Sequence, residues 1–131
     1  MRAKKSALLV LLSLILLSLL AGCGGGKDPA AAAVEAYLQS LVGQDSARLS
    51  NGVCAAWEPD ALVELDAFQG VTASLDGVAC AKQGAEGADA LVACTGRILA
   101  TYNNEQQELP VSGRTYRVVQ EGGEWRVCGY Q

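Results

Sequence analysis

Histidine is absent from the 131 residues, phenylalanine and methionine each occur once, and aromatic residues make up only 5% of the chain. Without histidine there is no Ser-His or Cys-His nucleophile pair, the commonest general base is missing, and most transition-metal sites are excluded. The five cysteines include no Cys-x-x-Cys pair, so thiol ligation of zinc lacks its usual spacing. No metal and no cofactor is expected. Cations are few and uneven: Arg2, Lys4 and Lys5 crowd the start, whereas all fourteen carboxylates come after Lys27. From residue 23 onwards seven cations face fourteen carboxylates, a net charge of −7. Such a surface repels phosphate backbones and anionic headgroups, which argues against nucleic-acid binding and against direct adsorption to lipid.

What the chain does have begins with an unbroken apolar stretch from Ala7 to Ala21 directly behind those three cations. Fifteen residues at about 1.5 Å each cover roughly 22 Å, short of the ~30 Å hydrocarbon core that a spanning helix must cross. The pattern fits a secretory n-region and h-region. The run Leu20-Ala21-Gly22-Cys23 that closes it resembles the lipobox of bacterial lipoprotein signal peptides. That resemblance implies that residues 1–22 are removed and that Cys23 carries a diacylglyceryl thioether as the first mature residue. It would then be neither a ligand nor a disulfide partner. Two acyl chains anchor stably where one is marginal. An uncleaved anchor helix and a plain secretory signal are the alternatives. Residues 23–28, with Gly24-Gly25-Gly26, form a short spacer that holds the rest of the chain close to the membrane. The residue after the cysteine is Gly24 and not the Asp that retains Gram-negative lipoproteins at the inner membrane, so the same resemblance permits the outer membrane.

Residues 29–131 are the size of one small domain. Asp28-Pro29 is a helix start, and Val34, Leu38, Leu41 and Val42, with Tyr37 beside them, form one apolar stripe ending at Gly43. Short helices are expected from Asp45 to Gly52 and from Pro59 to Gln69. Glu58, Asp60, Glu64 and Asp66 read as a solvated acidic face. After Gly70 the period becomes strand-like. The expected strands are Val71 to Lys82, Asp89 to Tyr102, Leu109 to Gln120 with Gly113 as a bulge, and Trp125 to Tyr130 behind a Gly122-Gly123 hairpin. Helices followed by hairpins specify an α+β fold with an antiparallel sheet.

Cys54, Cys80, Cys94 and Cys128 admit three pairings. Cys80 and Cys94 would meet across a hairpin with a loop of about seven residues between Gln83 and Leu91, whereas a tighter turn would set them on different faces. Cys54 would then pair with Cys128. The rival Cys94–Cys128 bond would cross an intervening strand at ~9.6 Å, beyond the usual ~7 Å limit.

The first-helix stripe from Val34 to Leu41 and the terminal hairpin from Tyr116 to Gly129 resemble the nuclear transport factor 2-like, or cystatin-like, superfamily as it occurs in small bacterial lipoproteins. The resemblance implies N-terminal helices packed on a curved four-stranded antiparallel meander that forms a cone. Tyr37, Trp57, Tyr102, Tyr116 and Trp125 are the candidate pocket residues, and Arg97 or Arg117 are candidate anion anchors. Each aromatic also fits a core or rim position, and each arginine a solvent-facing one. Enzymes of the superfamily place Asp with His or Tyr inside the cone, and this chain has no His. The expected function is therefore a membrane-anchored envelope lipoprotein with a non-enzymatic domain that binds a small apolar ligand or an envelope protein. The alternatives are a polyketide-cyclase-like or isomerase-like enzyme using a buried carboxylate, and a structural accessory of an envelope complex.

Overall fold

The computed structural model describes residues 26–131, so the expected signal peptide and Cys23 lie outside the described residues. Asp28 caps α1 (Pro29–Val42) by accepting hydrogen bonds from the amides of Ala30, at 2.9 Å, and Ala31, at 3.4 Å. Two otherwise orphaned donors are thereby satisfied, and Pro29 sits where its missing N–H costs nothing. Val34, Tyr37, Leu38 and Leu41 are fully buried along one face, and Gly43 closes the helix with a bond to the Gln39 carbonyl. Asp45 caps α2 (Ser46–Gly52) through the Arg48 amide at 2.9 Å. α3 (Glu58–Asp66) has no side-chain cap but carries Glu58 and Asp60 in its first turn, where negative charge complements the helix dipole.

Five strands complete the chain: β1 (Thr72–Glu86), β2 (Asp89–Tyr102), β3 (Glu105–Pro110), β4 (Thr115–Glu121) and β5 (Glu124–Tyr130). They form one antiparallel sheet in the order β1-β2-β4-β5, with β3 also paired to β2. The expected four strands are thus five, because the strand anticipated over Leu109 to Gln120 is broken. Pro110 has no N–H to extend the ladder and Gly113 adopts a φ of 94°, so the chain leaves the sheet between Val111 and Arg114. Before the break β3 pairs with Arg97 to Tyr102; after it β4 pairs with Ala90 to Ala93.

The β1–β2 hairpin also differs from expectation. Its strands run to Glu86 and Asp89, leaving a two-residue turn at Gly87-Ala88 in place of a seven-residue loop. That turn alone would set Cys80 opposite Thr95. Gln83 is left unpaired as a bulge, slips the register by one residue and returns Cys80 to Cys94. A second bulge sets Gly77 and Val78 against Gly96, where φ is 92° and a Cβ would overlap the Gly77 carbonyl.

Cys80 and Cys94 are bonded, with Cα atoms 4.0 Å apart, and Cys54 is bonded to Cys128 at 5.2 Å. Beside the second bridge the Cys54 amide donates to the Val127 carbonyl at 2.9 Å, which fastens the α2–α3 connection to β5. Glu35 of α1 accepts from the Cys80 amide at 2.9 Å and pairs with Lys27, so the helix also covers a free amide of the edge strand. The core lies between α1 and the sheet, where Val34, Leu38, Leu49, Val92, Tyr116, Val118 and Val127 are completely enclosed.

Candidate functional site: an apolar cleft over a tyrosine-bound ion pair

Where the sheet runs past the end of α3 the layers part, leaving a cleft of about 550 Å³. Alternation along β2 turns Ile98, Ala100 and Tyr102 to this side, and the register of β3 sets Leu109 opposite Ile98 and Gln107 opposite Ala100. Phe68 and Val71, just beyond α3, face them, and Val111 closes one end. The cavity is of ligand-site size, and its lining is mostly hydrocarbon with a few convergent polar groups. Tyr102 is 61% exposed and Leu109 41%, so both present apolar surface to water along the cleft.

The polar groups gather around Glu64 of α3, whose side chain is only 18% exposed. Its Oε1 accepts from Arg114 Nη1 at 2.9 Å and from the Tyr130 hydroxyl at 3.3 Å, and its Oε2 accepts from the Tyr37 hydroxyl. The Arg114 guanidinium also lies 4.3 Å from the centre of the Tyr130 ring. Tyr116 packs edge-on against both Tyr37 and Tyr130, with ring centroids 6.3 and 5.4 Å away. Burial first, and then the Glu64 charge, push the Tyr37 and Tyr130 hydroxyls above their ordinary value of 10.0. Burial raises Tyr116 as well, against the opposing pull of Arg114. Burial works against the Arg114 charge, but the Tyr116 hydroxyl and the Glu64 carboxylate outweigh it and hold the guanidinium more basic than usual. The tyrosines are therefore neutral and the guanidinium charged at neutral pH. Three donors converge on Glu64, and among the described residues the bond from Arg114 that meets hydrogen-bond geometry runs from Nη1 to Glu64, with the Tyr116 hydroxyl beside the guanidinium.

Of the five candidate pocket residues, Tyr102 lines the cleft; Tyr37 and Tyr116 lie buried beneath it. Trp57 packs edge-on to Tyr130 and lines a separate shallow hollow with Arg117, and Trp125 packs half-buried at the start of β5. Arg97 is engaged by Asp76 at 2.8 Å and Glu108 at 3.3 Å on the other face of the sheet, and Arg117 by Asp89 at 3.1 Å. Neither arginine reaches the cleft. Glu64 departs from the solvated acidic face expected of α3, for it turns inward. Its spacing from Ala61 and Phe68 puts it on the same helical stripe, a signal present in the sequence. Arg114 comes directly after the strand break and carried no such signal. Among the described residues no group of three His, Cys, Asp or Glu side chains is arranged to hold a metal ion.

No protein-family profile and no curated protein matches the chain. Among solved structures it is similar to a designed protein titled as a variant of Rd1NTF2_05, with 10% identity over 75% of this chain and 92% of that one, at a TM-score of 0.45. Such a likeness concerns architecture alone and adds nothing to the fold seen directly in the five strands and three helices.

Proposed function

We propose that this protein is an envelope lipoprotein, anchored through Cys23, whose cleft binds a small and largely apolar ligand without transforming it. The observation that carries the binding reading is the state of Glu64. It is the carboxylate that an isomerase-like mechanism would need, yet it already accepts from Arg114, Tyr37 and Tyr130. A general base needs a lone pair free and aimed at the substrate proton, and the three donors on Glu64 already take up its two oxygens. Two disulfides accord with export into an oxidising compartment. The anchor itself rests on the Leu20-Ala21-Gly22-Cys23 run.

Native mass spectrometry of the protein extracted from its own membranes tests both parts in one spectrum. The expected species begins at Cys23, carries the mass of its acyl chains and retains a non-covalent small molecule. A species that still carries its leader removes the anchor, and turnover of any retained ligand removes the binding reading. Ala67→Trp, at an exposed cleft-lining position beyond α3, should expel the ligand while leaving the fold intact.

A further inference from the structure

The polar floor of the cleft is unbalanced in a way that selects a ligand. Resting on the binding reading above, we propose that the cleft takes a free single-chain amphiphile with an anionic carboxylate head, held by Arg114, and an apolar tail laid along Phe68, Ile98 and Leu109. On the acceptor side Glu64 is occupied, with Oε1 taking Arg114 and Tyr130 and Oε2 taking Tyr37. On the donor side Arg114 gives Nη1 to Glu64 and lies beside the buried Tyr116 hydroxyl, which leaves further N–H groups of a side chain that is 39% exposed at the cleft. A guanidinium presents its donors as a planar fork that fits a carboxylate through two parallel bonds, so the unused edge suits an acceptor head. The guanidinium carbon lies 4.3 Å from the centre of the Tyr130 ring, and that contact together with the Glu64 bond restrains the side chain before a ligand arrives. Gln107, opposite Ala100, adds an amide donor on the far wall.

Apart from Gln107 and Tyr102, the rest of the cleft offers the head no polar partner. Ile98, Ala100, Leu109 and Phe68 supply hydrocarbon only, and the exposed faces of Tyr102 and Leu109 at the rim would be covered by the tail. The domain's −7 charge repels anions at long range, so the preference for a carboxylate is local to the cleft and stands out against that background. A cationic head gains nothing here, because the carboxylate that would receive it is already paired.

Binding to the full-length mature protein is measured by isothermal titration with dodecanoate, dodecanol and dodecyltrimethylammonium, each below its micelle-forming concentration. Dodecanoate should bind on the order of tenfold or more tightly than dodecanol, the span expected of a charged hydrogen bond, and the cationic probe more weakly still. Arg114→Gln should erase the advantage of dodecanoate over dodecanol. Because that substitution also unpairs Glu64, the three-probe comparison on the unaltered protein decides the matter if the variant does not fold. Equal binding of dodecanoate and dodecanol overturns the proposed head specificity and leaves the apolar cleft standing. Failure of all three probes, with no effect of Ala67→Trp on ligand retention, overturns the binding function itself.

Discussion

β2 passes through two regions of opposite character. Its first half, from Ala90 to Cys94, lies beneath α1, where Val92 meets Val34, Leu38, Tyr116 and Val118 with no surface left to water. Its second half, from Ile98 to Tyr102, carries the same alternation of apolar residues but has no helix over it, and there the cleft opens. The difference lies in the covering layer and not in the strand. α1 is long enough to cover one end of the sheet, and α3 stops at Asp66 before reaching the other. The closed half is packed throughout, and the open half leaves the cleft in which the proposed ligand would lie.

The comparison can be broken most severely at the staples of the closed half. Replacing Cys54 and Cys128 together by alanine releases a separation of 74 residues and should cost about 4 kcal/mol, against about 3 kcal/mol for the Cys80–Cys94 pair separated by 14. Urea denaturation of the two double variants measures both, and a reducing agent that leaves the thermal midpoint unchanged would contradict them. Leu38→Ala, under α1, should cost about 2–5 kcal/mol by leaving a cavity. Its counterpart in the open half, Leu109→Ala, should change stability by no more than about 0.5 kcal/mol while weakening ligand binding. Equal costs at the two positions would erase the distinction between the halves.

Two smaller effects sharpen it through pH. Tyr37, Tyr116 and Tyr130 all ionise above 10.0 in the folded chain, so their contribution to stability is whole below 10.0 and is lost as pH rises beyond it. An ultraviolet titration should show these hydroxyls ionising together with unfolding. Glu35 behaves in the opposite sense. Burial alone would raise it, but Lys27 and the Cys80 amide hold it below its ordinary 4.5. Its contribution is therefore present above 4.5 and fades on acidification through the lower folded value, and Glu35→Gln should flatten that part of the acid unfolding curve slightly.

Much of the closed half was legible from residue order. The Asp28-Pro29 start, the stripe from Val34 to Leu41 and the alternation of β2 are local patterns whose consequence is local, and α1 stands where they put it, whereas α3, expected to reach Gln69, ends at Asp66. The sheet was legible as antiparallel but not in strand number, because Pro110 and Gly113 look alike as a bulge or as a break until β2 is seen to pair with both sides. The tip of the first hairpin misled for a similar reason. The run from Gln83 to Ala88 reads as one loop, whereas the structure divides it between a bulge and a two-residue turn. The cleft was the least legible part. Aromatic content drew attention to Trp57 and Trp125, which pack elsewhere, while the polar floor joins Glu64, Arg114 and Tyr130 across 66 positions of sequence. No periodicity links residues that far apart.

The bond between Cys54 and Cys128 sets an order on the birth of this protein. Its second sulfur follows the first by 74 residues, so a chain not yet made as far as Cys128 keeps Cys54 as an unsatisfied thiol. Closure of that ring thus reports that every element from α1 to β4 has already emerged, and a thiol-reactive label distinguishes closed molecules from open ones.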